Sequence, residues 1–133
     1  MNQLPQGLLG YAPVTANQTG ITTAVDITNA TTTVTVVAGR RLRISAEVGW
    51  FSSVADDVGR LTIMQDGAAI QTRSWPQRPA GWGITAMASV VIQPSAGSHI
   101  YKLQFARDTG TGTITIQAGA TNPTYILVED IGT

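Results

Sequence analysis

Along most of this chain apolar and polar residues alternate with the period of a β-strand. In RRLRISAEVGW (40–50), Leu42, Ile44, Ala46, Val48 and Trp50 fall on one side, with Arg41 and Arg43 on the other. Leu61 and Ile63 share a face, as do Tyr101, Leu103 and Phe105. Ile114 and Ile116 share another, opposite Thr113, Thr115 and Gln117. These are the expected core residues. No window sustains the i, i+3, i+4, i+7 spacing of a helix. The pattern predicts strands over 8–14, 21–28, 32–37, 40–50, 58–65, 68–74, 83–93, 98–107, 112–118 and 124–129.

Turn residues divide these runs. Asp66-Gly67 is a two-residue hairpin signal. Pro94-Ser95-Ala96-Gly97, Ala38-Gly39 and Thr121-Asn122-Pro123 also break their neighbours. In FARDTGTGTITI (105–116), Arg107 to Gly112 reads as the polar tip of a hairpin. Ten short strands spaced roughly every 8–12 residues predict an all-β fold of antiparallel strands, a sandwich or jelly roll. With 133 residues the chain has the length of one domain, expected over 8–133 behind an arm at 1–7.

Two runs break the alternation. Tyr125-Ile126-Leu127-Val128 is apolar on both faces, and Ala86–Ile92 has the same character. One face of such a strand lines the core, so the other needs cover, most simply from another copy of the chain.

Composition narrows the chemistry. There is no Cys, which removes thiol nucleophiles and Cys-ligated metals. With one His, a multi-His metal site within the chain is excluded. Eight basic and eight acidic residues give zero net charge, so no footprint for nucleic acid or anionic membrane is present. No apolar run is long enough to span a bilayer, and the N-terminus lacks the pattern of a signal peptide. Charged residues make up only 12% of the chain, so uncharged polar groups or another subunit must cover much of the surface.

Asp108-Thr109-Gly110 spells the tripeptide of aspartic proteases. Those enzymes need two such carboxylates and apolar flanks, whereas Arg107 precedes this one and Thr111 follows it, so a turn is expected. Asp56-Asp57 also reads as a turn, because no loop of calcium-binding pattern follows. His99 is expected at the surface or in an interface; Ser98 beside it points to the opposite face. The stretch SWPQRPAGWG (74–83) reads as a Pro-restrained loop whose Trp residues either fold back on the sandwich edge or, with Trp75, Arg78 and Trp82 as candidates, make contacts to protein or to sugar. Arg40, Arg41 and Arg43 form a small basic cluster at a strand start and are candidate partners for acidic groups such as Glu129 and Asp130 of a neighbouring subunit. No enzyme, cofactor or metal is expected.

Several motifs carry a resemblance over nearly the full length: the arm Leu4-Pro5-Gln6-Gly7, then ANQTGI, VTVVAGRRLRI, VADD, SAGSHIYKLQFAR and GTGTITIQAGATNPTYILVEDIG. In these the chain resembles small jelly-roll virion proteins, of capsid decoration or minor tail type, from tailed phages of actinobacteria. Such proteins are similar to tumour-necrosis-factor-like and complement globular-head domains, which assemble as trimers. The resemblance implies a homotrimer on the outer surface of a phage particle, cementing the major capsid protein. It places Tyr125, Ile126, Leu127 and Val128 near a threefold axis. Met1, Asn2, Gln3, Leu4, Pro5, Gln6 and Gly7 become the capsid anchor. The alternative it leaves is a tail-tip protein, held by other tail proteins, that binds a host glycan through the Trp-rich loop.

Overall fold

The computed structural model describes residues 4–133. Ten strands follow in order: β1 (Gly7–Val14), β2 (Gln18–Ile21), β3 (Val25–Val36), β4 (Arg41–Ser52), β5 (Val58–Gln65), β6 (Ala68–Pro76), β7 (Ile84–Ile92), β8 (Gly97–Thr109), β9 (Ile114–Gln117) and β10 (Thr124–Gly132). They form two antiparallel sheets. One runs β1-β10-β4-β9-β2, with β7 on the free side of β4; the other runs β3-β8-β5-β6. The fold is the expected all-β jelly-roll sandwich.

The core lies between the sheets and is built from the alternating positions. Leu42, Ile44, Val48, Trp50, Leu61, Ile63, Tyr101, Leu103, Phe105, Ile114 and Ile116 are fully buried, and Ala46 nearly so. Trp50 and Phe105 meet across the sandwich with ring centroids 5.4 Å apart. Gly59 lets them do so, since a Cβ there would come within 2.8 Å of the Trp50 ring.

Three strand expectations need correction. The runs at 21–28 and 32–37 belong to one strand, β3, whose register slips between Asp26 and Thr31 around Asn29 at φ 68°. That irregularity reads as a break in sequence because Asn and Thr are turn formers. Strand β2 at 18–21 has too little apolar character to signal itself. The third concerns 105–116. Strands β8 and β9 lie in different sheets, so the segment between them is a crossover and not a hairpin. By contrast, Asp66-Gly67 closes the β5–β6 hairpin as expected, with φ of 50° and 85° as a primed turn requires.

Register gives the sandwich two ends. At the base lie the arm before Gly7, the 37–40 turn, the β5–β6 hairpin, the 93–96 loop and the end of β10. At the top lie the 53–57, 77–83 and 110–113 loops.

Candidate assembly surface and the loops around it

Strand β10 splits the run Tyr125–Val128. Ile126 and Val128 are fully buried in the subunit's own core, so they are not available to a neighbour. This corrects half of that expected interface. Tyr125 and Leu127 point outward and are half-buried.

Four strands carry this outer face, and their register sorts it into rungs. From the base upward these are Leu8–Glu129–Arg43–Val91, then Tyr11–Leu127–Ser45–Ser89, then Pro13–Tyr125–Glu47–Met87. Met87 is 64% exposed, Leu8 62%, Val91 52% and Tyr11 47%, an apolar display that a lone subunit leaves in water. The Tyr11 and Tyr125 rings lie 5.7 Å apart, and the Tyr125 hydroxyl donates to Glu47 Oε2 at 3.0 Å. Burial, with the Glu47 bond second, pushes the Tyr125 hydroxyl above its ordinary pKa. Ser45 and Ser89 form the floor of a shallow hollow walled by Met87, Tyr125 and Leu127. Arg43 and Glu129 face each other in register, yet make no ion pair among the described residues.

The outer face of the other sheet is different. Lys102 and Gln104 both bind Asp26, at 3.0 and 2.9 Å. Arg60 and Ser74 both bind Asp108, at 2.8 and 3.1 Å. Its charges are satisfied within the subunit, as on a solvated face. Asp108 of the Asp-Thr-Gly tripeptide is thus an ion-pair residue, and its partner is Arg60 rather than the adjacent Arg107 or a neighbouring subunit.

The other carboxylates are equally engaged. Asp57 is 1% exposed; it accepts from Ser52 Oγ (2.6 Å), Gly112 N (2.9 Å) and Thr111 N (3.1 Å). Burial alone would push its carboxyl up; the bonds from Ser52, Gly112 and Thr111 outweigh that and hold it below the ordinary value. Asp57 is therefore a buried strut under the 110–112 loop, while Asp56 is the exposed turn residue, paired with Arg78 at 3.3 Å.

The 74–83 stretch also divides. Trp75 belongs to β6 and packs against the core, so it is not a loop contact. Gln77 is fully buried. Its Oε1 accepts from Ser52 N at 2.5 Å, and its Nε2 donates to the carbonyls of Pro79 (2.8 Å) and Trp82 (3.0 Å). A loop stapled in this way nevertheless leaves Trp82 69% exposed at the top. Arg78 is exposed beside it.

At the base, Arg40 is buried and clasps Asp130, with Nε–Oδ2 at 2.8 Å and Nη2–Oδ1 at 2.6 Å. The partner predicted for Asp130 was an arginine of another subunit; the pair forms inside the chain and uses Arg40. Nη2 also donates to Leu4 O at 2.5 Å, so the clasp holds the arm against the body. Of the expected anchor, Gly7 is already the first residue of β1. Leu4, Pro5 and Gln6 form the exposed arm, and Met1, Asn2 and Gln3 lie outside the described residues.

His99 is buried, not at the surface, because its position on β8 faces the core like Tyr101. Its Nδ1 lies 2.6 Å from Asp66 Oδ2 of the hairpin turn, and its Nε2 lies 2.8 Å from Ser95 O of the 93–96 loop. Both partners are acceptors, so the imidazolium form is the one that can donate to both at once. The Asp66 bond first, then the Ser95 carbonyl, raise its pKa above the ordinary 6.5. A raised folded-state value means stability fully present below about pH 6.5 and lost as pH rises through the higher folded value. Melting curves taken across that interval should fall with pH in the wild type and stay level in His99→Gln. A parallel fall in the variant would assign the effect elsewhere.

Sequence reasoning missed Gln77, the strut role of Asp57 and the burial of Arg40 against an acid of its own subunit. Each sits beside a turn signal that explains it as surface, and nothing local marks a long-range partner.

No protein-family model matches the chain, and no curated protein sequence matches it. Among solved structures it is similar to the C-terminal domain of EclA, described as a sugar-binding protein. That match has 13% identity over 86% of this chain and 77% of that one, with a TM-score of 0.48. It is also similar to the insecticidal delta-endotoxin Cry8Ea1 from Bacillus thuringiensis, at 10% identity over 93% of this chain and 24% of that one, TM-score 0.54. The third is the infectious bursal disease virus Gx strain, at 17% identity over 99% of this chain and 37% of that one, TM-score 0.51. The chain therefore spans about a quarter of the toxin chain and little over a third of the viral one. At these identities the likeness is one of fold: a jelly-roll sandwich shared with chains of a toxin and of a virus.

Proposed function

We propose that the chain is a non-enzymatic structural protein of a tailed-phage virion. In this reading it is a homotrimer that decorates the outside of the capsid and cements the major capsid protein. The observation that carries it is the contrast between the two outer faces. One sheet closes its charges on itself under a coat of Thr and Gln, broken by the half-exposed Ile100. The other displays Leu8, Tyr11, Met87, Val91 and Leu127 around Arg43 and Glu129, which make no ion pair among the described residues. Burial of that second face between copies supplies the association energy. The base, with its exposed Leu4 and Val37, then meets the shell. Engagement of His99, Asp57 and Asp108 in structural bonds supports the non-enzymatic part of the reading.

Light scattering at micromolar concentration should return a trimer for the wild type and a monomer for Leu127→Arg, with unchanged circular dichroism. A monomeric wild type would defeat the assembly reading. A second reading, a tail-tip protein that binds a host glycan, is favoured by Trp82, held in water by a stapled loop at the end opposite the arm. Copies per purified particle separate the two: hundreds for a decoration protein, a handful for a tail protein.

A further inference from the structure

The lowest rung that all four strands share sets Arg43 of β4 beside Glu129 of β10, between Leu8 and Val91, with the exposed Arg41 one step below on β4. We propose that these two residues pair between subunits, Arg43 of one copy with Glu129 of the next, and so fix how two copies dock. The inference rests on the reading that this face meets a second copy of the chain, and it adds the register of that meeting.

The argument is one of height. Burying the apolar rungs above also buries Arg43 and Glu129, and an ion taken from water without a partner is strongly destabilising. Neither has a partner among the described residues, whereas Glu47, two rungs higher, already accepts the Tyr125 hydroxyl. A rotation axis parallel to the strands keeps every residue at its own height. Rung then meets the same rung: apolar on apolar at Tyr11 and Leu127, and the Arg43–Glu129 rung on itself. Each copy brings one charge of each sign to that rung, so the pair is satisfied twofold or threefold alike. An axis across the strands would instead invert one copy, lay the lowest rung on the highest and bring Arg43 to Glu47. Only the first arrangement leaves all arms at one end, where the clasp of Arg40 and Asp130 delivers them.

Charge reversal decides it, with assembly followed by sedimentation velocity and folding by the melting transition. Arg43→Glu and Glu129→Arg should each weaken assembly about tenfold or more by setting like charges together. The double variant Arg43→Glu/Glu129→Arg should restore it to near the wild-type value. Rescue by Arg43→Glu/Glu47→Arg instead would overturn the pairing in favour of inverted docking. Single reversals without effect would mean that the two charges pair, if at all, within one subunit and contribute little, which also overturns it. Leu127→Arg is run alongside. If it dissolves the assembly while no reversal does, the face stands and the pairing fails. If it too is silent, the face itself is wrong.

Discussion

Asp130→Ala should lower the melting temperature by more than about 10 °C and free residues 4–6 from the body. The clasp is the only contact that joins the arm, the 37–40 turn and the end of β10 through one carboxylate among the described residues. Arg40 is 4% exposed and its guanidinium lies against Asp130 and the Leu4 carbonyl. Asp130 also accepts from Gly132 N at 2.9 Å and, weakly, from Gln6 N at 3.5 Å. Removing the carboxylate strands a cation that cannot be neutralised at any ordinary pH. Replacing both partners with apolar residues, as in Arg40→Met/Asp130→Leu, should cost less than the single change, because no uncompensated charge remains. Thermal melts compare the three proteins, and limited proteolysis reads the arm. A single variant no worse than the double would show that the pair has no special hold. The pH sign follows from the same geometry. Arg40 first, then the Gly132 and Gln6 amides, hold the Asp130 carboxyl below its ordinary value against its burial. Its contribution is present above the ordinary carboxylate range and is lost as pH falls through the folded value.

Asp57→Ala is the second large loss, about 3 kcal/mol or more, since the Ser52 hydroxyl and two backbone amides lose their acceptor inside the protein. Among the described residues no other carboxylate supports the 110–112 loop. It cannot refill the space cheaply either: Gly110 and Gly112 are glycines because a Cβ at either would run into the Asp57 carboxylate. Arg107 donates to the Gly112 carbonyl from the far side, so the loop is held from two directions. Urea unfolding should show the lower midpoint with an unchanged slope, and Asp57→Asn should fall between, as one of its two polar atoms can still accept. A wild-type midpoint in Asp57→Ala would mean that the loop stands on its own turn preferences. On this account the bend just after the Asp-Thr-Gly tripeptide is held by a carboxylate from another loop, and the tripeptide's own Asp108 makes the ion pair with Arg60.

What the alternation of residues determines is which side of a strand faces in. That is why Leu42 to Trp50, Tyr101 to Phe105 and Ile114 to Ile116 all appear in the core where the period puts them. The same rule makes one strand of the sandwich legible at a time and says nothing about which sheet it joins. FARDTGTGTITI reads equally well as a hairpin or a crossover, because both need a Gly-rich polar bend. The choice is made by long-range partners: β9 pairs with β4 and β2 in the other sheet, and Asp57, more than fifty residues away in sequence, holds the bend. Two-sided strands are legible as two-sided, but Ile126 and Val128 could not be told from Leu127 until the pleat was placed. Buried polar residues were the least legible. His99, Arg40 and Gln77 each look like surface, and each is buried because its partners arrive from elsewhere in the chain.

The position of β4 has a consequence for how the chain is made. It is the central strand of its sheet, yet its neighbours β7, β9 and β10 all lie after it in sequence. The same holds for β1, β2 and β3, whose partners are β10, β9 and β8. During synthesis only the β5–β6 hairpin finds its mate at once. β4 must wait for β7, β3 for β8, β2 for β9 and β1 for β10, so a chain interrupted on the ribosome presents open edges.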